Sequence, residues 1–322
     1  MGEALIDRIK NKSNQKFTDF LGGAPSNVAF ALSKLNVESV FMGSLGNDEF
    51  GEKFIRRFDD LQVNVDFLQL NNFPTRIVKV NRDDSGDRYF AGFAAKAKTV
   101  FADAAFSKKL IQKDLKSLEK LFSKTKYFVC GTIMLSSPHS AEALFFLIEL
   151  AKKFDVQVVV DLNWREVFWD YSYFSLKMNK DEIIKLIKDL LDCSNIVKFA
   201  KEEAILFFKE ENPISISQKI LSQPEVIITD GANPVSWFFS GIQGSTEVFN
   251  SSSIIDTTGA GDAFLAGLIS QLISLNFPKD EIEIQNCIKF AGACGLLTCL
   301  GEGAIEPHPS YEKVNEFLGS QI

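Results

Sequence analysis

Short apolar segments alternate with helical patterns along most of this chain, and that alternation limits the fold more than any other feature of the sequence. Strands and helices in this rhythm build a parallel sheet with helices on both faces. We therefore predict an α/β fold with a doubly wound, mainly parallel sheet, whose Val- and Ile-rich strands are buried on both sides. The predicted strands are Ser39–Gly43, Tyr127–Cys130, Val156–Val160, Asn195–Phe199 and Val226–Thr229, and the predicted helices Asp48–Leu61, Pro138–Phe154, Lys180–Leu191 and one from about Lys201, with helical patterns after Thr229 to the end.

Two polar, strand-like stretches interrupt this rhythm, at Arg8–Phe20 and at Thr75–Phe93. The second contains a turn-like segment, Asp83–Asp87, between two short strand patterns. We expect a small β-sheet that is inserted into the core as a lid over a cleft, although a hairpin without that role would give the same pattern. The predicted division is an α/β core of residues 1–7, 21–74 and 94–322, with a discontinuous β lid of residues 8–20 and 75–93.

Composition excludes several classes of protein. The 322 residues are 46% hydrophobic, enough for a sizeable core, and the net charge of −7 disfavours nucleic acid as a partner. No apolar run approaches the roughly 20 residues that a membrane span needs. We expect no secretory signal and a cytoplasmic location, which five cysteines, an odd number, fit. With only His139 and His308, a histidine-rich metal site is excluded, so the chemistry must come from carboxylates, lysines and backbone.

The most specific motif is Asp256-Thr-Thr-Gly-Ala-Gly-Asp-Ala-Phe264, which opens an apolar helix. The amides of Gly259, Ala260 and Gly261 at that helix start can bind an anion such as phosphate. Asp262 follows in the first turn, where the helix dipole should hold its pKa low and keep it ionised as a base. An ordinary glycine-rich turn with a first-turn acid is the alternative. The segment is not a Walker loop, because the sequence contains no Gly-x-x-x-x-Gly-Lys-Ser/Thr. It is not a dinucleotide fingerprint either, because Phe264 stands at the third glycine position.

A second glycine pair, Gly22-Gly23, precedes a helix that contains Pro25 and Asn27. Pro25 fits an early helical position, and Asn27 falls in the first turn, close to the bare backbone of the glycines. This corner can hydrogen-bond hydroxyl groups. A simple junction between a loop and a helix would give the same pattern.

These two motifs resemble the two signatures of the ribokinase-like (PfkB) carbohydrate kinases, in the same order and across nearly the whole chain. The first runs from Gly22 through Asn27 to the segment Gly43–Gly51, and the second is Asp256–Asp262. The resemblance implies an ATP-dependent sugar kinase with the fold predicted above. It also implies that Asp262 is the catalytic base and that Gly259, Ala260 and Gly261 form the anion hole.

The resemblance extends to the sugar side of the family's site. Asp161-Leu-Asn163-Trp-Arg165 is similar to an Asp-x-Asn-x-Arg motif at the end of a strand, although a plain polar strand-to-loop cluster would look alike. Arg88 in the lid resembles an arginine that reaches the sugar in fructokinases, and a solvated surface arginine is the alternative. The implied substrate-binding residues are Asp7, Gly22, Gly23, Asn27, Arg88, Asn163 and Arg165.

On the nucleotide side, Thr229 and Gly231 resemble a nucleotide-binding loop in which Pro234 replaces the last glycine. Glu203 matches the glutamate of the family's Asn-x-x-Glu motif and would organise Mg²⁺ through water, while Ala200 replaces the asparagine. Lys198 reaches phosphate oxygens or is a structural lysine. By the same resemblance, Asp256 and Thr258 match positions that help to hold a monovalent cation such as K⁺.

The particular substrate is predicted from the segment Trp164–Trp169 and from Arg88, which look most like fructokinases. The expected reaction transfers the γ-phosphate of ATP to the primary hydroxyl of fructose, with Mg²⁺ on the phosphates. Ribose, 2-keto-3-deoxygluconate and adenosine remain alternative acceptors, and a catalytically silent relative that binds a sugar or nucleotide is an alternative of a different class. The resemblance also implies a homodimer through the lid. The net charge and the short apolar runs predict no nucleic-acid and no membrane partner.

Overall fold

The computed structural model describes residues 1–10, 17–82, 88–95, 99–170 and 179–321, and it does not describe the side chains of residues 81, 82, 88–91 and 170. The strands are β1 Leu5–Lys10, β2 Phe17–Gly22, β3 Ser44–Gly46, β4 Gln69–Asn71, β5 Ile77–Arg82, β6 Arg88–Phe93, β7 Tyr127–Gly131, β8 Gln157–Asp161, β9 Ile196–Ala200, β10 Glu225–Asp230, β11 Asn233–Phe239 and β12 Ile242–Thr246. The helices are α1 Ala24–Lys34, α2 Glu49–Asp60, α3 Lys108–Ile111, α4 Leu115–Phe122, α5 Pro138–Lys153, α6 Val167–Asp170, α7 Lys180–Leu191, α8 Lys201–Phe208, α9 Pro213–Lys219, α10 Ala260–Leu275, α11 Glu281–Thr298 and α12 Tyr311–Gly319.

The main sheet has six strands in the order β12-β11-β10-β9-β8-β7. β7 to β10 are parallel to one another, and β11 and β12 extend the sheet as an antiparallel hairpin. A separate hydrophobic core lies on each face of this sheet, and successive residues of β8 belong to different ones. Val158 and Val160 pack with α5 on one face, and Val159 packs with α10 and α11 on the other. The prediction of an α/β fold, with helices on both faces of a mainly parallel sheet, is confirmed.

The sequence prediction was wrong in two places. Residues after Thr229 do not continue as helices only, because β11 and β12 form a hairpin whose turn, Ser240-Gly241, has positive φ at both residues. Trp237 and Phe239 alternate with more exposed neighbours in β11, a period-two pattern that does indicate a strand. The segment Ser39–Gly43 holds a single bridge at Val40, and the strand there is β3, which pairs with β4 in a separate small sheet.

A four-stranded sheet in the order β2-β1-β5-β6 contains the segments that the sequence predicts as a lid. β1 pairs antiparallel with β2 and parallel with β5, so that Asp7 lies opposite both Phe20 and Val78. β1 is continuous through residue 7, where the predicted boundary between core and lid falls. The turn predicted at Asp83–Asp87 lies outside the described residues. The division into core and lid remains a prediction.

The parallel strands end at one edge of the sheet, and two of them end in aspartates. Gly131 ends β7, Asp161 ends β8, Ala200 ends β9 and Asp230 ends β10, and ligands of open α/β sheets bind at such carboxyl ends. The helix α10 begins at the same edge, since a Cβ atom built on Gly261 would lie 3.4 Å from Nζ of Lys198 in β9. In the described part of the chain, no helix has the length and apolar character needed to cross a bilayer.

Candidate active site

The start of α10 forms a loop that only glycine can close. Gly259 is the N-cap residue with φ +78°, and a Cβ atom there would lie 2.8 Å from the carbonyl oxygen of Ala304. The Ala260 amide donates a long hydrogen bond to the Thr257 carbonyl oxygen, at 3.3 Å. The first-turn amides of Gly261 and Asp262 have no acceptor four residues earlier within the helix, so they point outward with the helix dipole behind them. This geometry suits an anion.

Asp256 fixes that loop from behind. Its Oδ1 accepts hydrogen bonds from the Thr258 amide at 3.1 Å and the Thr258 hydroxyl at 2.9 Å, and its Oδ2 accepts one from the Gly303 amide at 2.8 Å. The side chain is buried. Asp256 therefore joins residues 257–261, called the anion loop below, to the loop at 300–304. The monovalent-cation role of Asp256 and Thr258 remains a prediction.

Asp262 is held by a residue of the other glycine motif. Asn27 Nδ2 donates to Asp262 Oδ2 at 2.7 Å, which brings α1 and α10 together at the site. Burial raises the pKa of Asp262 to about 6, the charge of Asp161 adds to this, and Asn27, Lys198 and Arg165 oppose it. The expectation of a low pKa was wrong, because loss of solvent outweighs the helix dipole at this position. Asp262 is still mostly ionised at pH 7 and can accept a proton.

Lys198 connects Asp161 to the anion loop. Its Nζ lies 2.9 Å from Asp161 Oδ1, and both side chains are buried. Burial alone would lower the pKa of Lys198, but the carboxylates of Asp161 and Glu203 outweigh it and hold the pKa above its ordinary value. A permanent positive charge therefore stands beside Gly261, at the position where an anion bound to the loop would lie.

Glu203 links two of the strand ends. Its Oε2 accepts from the Ala200 amide at 2.8 Å, and its Oε1 accepts from the Trp164 amide at 2.6 Å. Burial raises the pKa of Glu203, and the nearby charge of Asp161 raises it further. The carboxylate that the sequence assigned to magnesium thus also holds the loop after β8 against the start of α8.

Four residues predicted to bind the sugar are linked by local contacts, and one of them, Asn27, contacts Asp262. A Cβ atom on Gly22 would stand 2.5 Å from Asp7 Oδ2, so the carboxylate of Asp7 lies against the bare backbone of Gly22. Gly23 caps α1, and Asn27 in the first turn of that helix makes the contact with Asp262. The structure therefore joins Asp7 to Gly22 and joins Asn27, in the helix that Gly23 caps, to Asp262.

The remaining sugar-side residues follow β8 or belong to β6. Asn163 has φ +40°, a left-handed conformation that asparagine tolerates and that turns the chain after the strand. Arg165 is half-buried, donates from Nη1 to the Trp164 carbonyl oxygen at 2.9 Å, and lies close enough to Asp262 to lower its pKa. Arg88 begins β6, but its side chain is outside the described part of the structure.

The predicted nucleotide loop lies at the end of β10. Thr229 donates from its hydroxyl to the Phe199 carbonyl oxygen at 3.3 Å, and Gly231 turns the chain into β11. Between them, Asp230 accepts a hydrogen bond from Lys201 Nζ at 3.3 Å. The lysine at the start of α8 is thus tied to this loop, a contact that the sequence analysis missed.

The sequence analysis also missed Glu3. Its side chain is buried, Oε1 accepts from the Ala24 amide at 3.2 Å, and Oε2 has no hydrogen-bond partner among the described residues. Burial raises the pKa of Glu3 to about 8, and the charges of Asp103 and Asp262 raise it further. A cavity of about 10 Å³, close to the space that one water molecule needs, lies between Glu3, Thr132 and Asp161. A glutamate among small and apolar residues, directly before the apolar start of β1, was the available signal.

A carboxylate with a pKa near neutrality stands beside outward-pointing helix amides, with a lysine adjacent. This combination can take a proton from a hydroxyl group and stabilise a transferring anion. The fold and the site together define an α/β phosphotransferase that acts on an alcohol. The chain matches the pfkB family carbohydrate kinases over residues 1–310 and belongs to that family.

Individual relatives carry more specific names. A probable chloroplastic fructokinase-6 from Arabidopsis thaliana is 29% identical, and the match covers 98% of this chain and 81% of that protein. The crystal structure of a Xylella fastidiosa fructokinase with bound ATP superposes with a TM-score of 0.85 at 25% identity, covering 99% of this chain and 97% of the other. The crystal structure of a Vibrio cholerae O395 fructokinase with fructose, ADP and calcium ion superposes with a TM-score of 0.82 at 26% identity, covering 98% of this chain and 97% of the other.

Proposed function

We propose that this carbohydrate kinase is a fructokinase, which transfers the γ-phosphate of ATP to the primary hydroxyl of fructose. The observation that carries the proposal is Asp262, hydrogen-bonded to Asn27 at 2.7 Å and seated in the first turn of α10 beside the anion loop. The similarity of the chain to fructokinases from three organisms, over almost its whole length, supports fructose as the acceptor.

In this proposal the two halves of the site divide the chemistry. Asp262 accepts the proton of the sugar hydroxyl, for which its pKa of about 6 leaves it ionised at pH 7. The loop of Gly259, Ala260 and Gly261, in which the Gly261 amide points outward and the Ala260 amide bonds the Thr257 carbonyl oxygen, and the ammonium of Lys198 stabilise negative charge on the phosphoryl group during its transfer. Because the transition state of phosphoryl transfer is loose, positioning and charge stabilisation matter more than strong basicity.

Magnesium fits the donor set. Asp161, Glu203 and Asp262 supply carboxylate oxygens, which Mg²⁺ prefers, around the single ammonium of Lys198. Among the described residues, no group of three or more histidine, cysteine or acidic side chains is placed to hold a metal ion by itself. This pattern supports Mg²⁺ that enters on the phosphates of ATP and is held by Glu203 through water. The ion would neutralise charge on the phosphate oxygens.

The remaining roles are proposals as well. Asp7, Gly22, Gly23, Asn27, Arg88, Asn163 and Arg165 would bind the sugar, and Thr229 and Gly231 the nucleotide. A monovalent cation at Asp256 and Thr258 is tested by turnover in K⁺ against turnover in a bulky organic cation. The cytoplasmic location stays a prediction from the sequence.

The decisive experiment measures ADP release with Mg-ATP against fructose, ribose, 2-keto-3-deoxygluconate, adenosine and glucose. We expect turnover on fructose that disappears in Asp262→Asn. Turnover on another acceptor would correct the substrate and keep the reaction. Thermal stabilisation by a sugar or nucleotide, with no turnover on any acceptor, would instead favour the catalytically silent relative.

A further inference from the structure

A buried arginine ties the lid sheet to the body of the protein. Arg76, directly before β5, is 1% exposed, and its partner Asp103 is 2% exposed. Arg76 Nε donates to Asp103 Oδ2 at 2.7 Å and Nη2 donates to Oδ1 at 2.9 Å. Such a two-point contact fixes the plane of the guanidinium as well as its position.

Three phenyl rings surround this guanidinium. Its central carbon lies 5.1 Å from the ring centre of Phe93, 4.5 Å from that of Phe101 and 5.0 Å from that of Phe168. Phe93 ends the lid strand β6, Phe101 belongs to the segment that follows it, and Phe168 lies in α6. The face of each ring attracts the cation, so one side chain holds three separate segments together.

Stability alone does not account for this arrangement. Taking an ion pair out of water is costly, and replacing a buried pair with apolar residues of similar volume is often neutral or stabilising. Arg76 Nη1 is also buried and has no hydrogen-bond partner among the described residues, which adds to the cost. What the pair does provide is a fixed geometry between the segments that it joins.

Those segments lead directly to residues proposed to bind the sugar. The Arg76 carbonyl oxygen accepts a hydrogen bond from the Ile6 amide at 2.8 Å, next to Asp7. The Phe168 amide donates to the Arg165 carbonyl oxygen at 3.1 Å, and the rings of Phe168 and Phe93 meet edge to face at 5.3 Å. A displacement of β6 would therefore be transmitted to Asp7 and Arg165 by the contacts around Arg76.

We propose that Arg76 is a positioning residue, which makes the lid sheet and the loop that carries Asn163 and Arg165 move as one unit around the sugar. It touches neither substrate and acts through the rings of Phe93 and Phe168 and through the carboxylate of Asp103. The proposal rests on the assignment of a sugar kinase to this site. It predicts an effect on sugar binding that exceeds the effect on ATP binding.

The kinetic test uses Arg76→Lys, which keeps the charge, and the double variant Arg76→Met with Asp103→Leu, which removes the buried pair without leaving a lone charge. For fructose, kcat/KM should fall about 10- to 100-fold in the double variant, mainly through KM, with the KM for ATP changed less than about twofold. The kcat/KM of Arg76→Lys for fructose should lie between those of the double variant and the wild type, because lysine keeps the charge but cannot make the two-point contact.

Phe122→Leu is a matched control for lost packing. Phe122 is 2% exposed in α4 and packs on Phe128 near the amino end of β7, away from the strand ends that form the site. It should lower the melting temperature and leave the KM for fructose unchanged. If the Arg76 variants likewise lose only stability and keep the wild-type KM, the positioning role is wrong.

Hydrogen exchange separates this proposal from the proposed function, because it needs no turnover. Without substrates, the double variant should exchange faster than the wild type in both 88–95 and 163–170, with the strands β7 to β10 unchanged. Unchanged exchange in either segment would overturn the coupling. A wild type that phosphorylates no sugar would refute the function, and the exchange result would still decide the role of Arg76.

Discussion

Replacing Asp262 with asparagine should make this protein inactive and, at neutral pH, more stable. The two side chains have the same shape, and the asparagine oxygen can still accept the hydrogen bond that Asn27 donates at 2.7 Å. The substitution removes a charge that is costly to bury. Activity should therefore fall while the free energy of unfolding rises, as expected where a residue needed for function destabilises the folded protein.

The size of the gain follows from the pKa of Asp262, which burial raises from 3.8 to about 6. That difference corresponds to about 3 kcal/mol between the two protonation states. Because the side chain is only partly buried, solvent screening reduces the expected gain in the free energy of unfolding to about 1–2 kcal/mol at pH 7. Because the folded protein favours the protonated form of Asp262, the free energy of unfolding of the wild type falls as pH rises through 6, whereas that of the variant does not.

Chemical unfolding of both proteins between pH 4 and pH 8 measures this directly. The advantage of Asp262→Asn should be near zero at pH 4 and complete above pH 7, and wild-type kcat/KM should fall about tenfold per pH unit below pH 6. Asp48→Asn is a control of opposite sign. Burial by itself would raise the pKa of Asp48, but hydrogen bonds from Gly51 and Thr75 outweigh it and lower the pKa. This variant should be destabilised at pH 7.

The reasoning fails if Asp262→Asn is less stable than the wild type at pH 7, or if its stability relative to the wild type does not change with pH. Either result would mean that Asp262 is not buried at a cost in the folded protein. Retention of full turnover by this variant would remove Asp262 as the base, whatever the stability data show.

Three further predictions concern other parts of the site and the lid. Glu203→Gln should raise the KM for Mg-ATP about tenfold, because its NH₂ group cannot accept one of the two amide hydrogen bonds, and steady-state kinetics at several Mg²⁺ concentrations would show this. Gly261→Ala should fold normally, with its new methyl 3.4 Å from Lys198 Nζ, and lose about 100-fold in kcat; an unchanged kcat would place the phosphate elsewhere. Phe17, 55% exposed on the edge strand β2, should lie in a dimer interface, so light scattering should show a dimer that Phe17→Asp converts to a monomer.

The features predicted correctly from the sequence are those with local signals. The helix α7 begins and ends where its pattern predicts, and Asn179 and Glu182 form a capping box at its start. The helix α10 begins at the glycine motif as predicted, because Gly259, Gly261 and Asp262 are adjacent in the chain, and the anion-binding role of that motif remains a prediction. The hairpin of β11 and β12 was missed although its signal is also local, because its alternation is short and contains Pro234.

Properties that depend on distant residues could not be predicted. The pKa of Asp262 is set by burial and by Asp161 and Asn27, which belong to other segments of the chain. The buried pair of Arg76 and Asp103 likewise appears in the sequence as two ordinary charged residues. Their burial becomes visible only when β5, β6 and α6 are packed together.

The sugar side of the site depends on two strands that are distant in the sequence. β1 and β5 pair in parallel, with Asp7 opposite Val78, whereas β7 to β10 each pair with the next strand along the chain. Closing the long loop between β1 and β5 costs conformational entropy before any contact compensates for it, which makes such pairs slow to form. We expect the main sheet and the anion loop to fold first, so that sugar recognition is the last property the protein acquires as it folds.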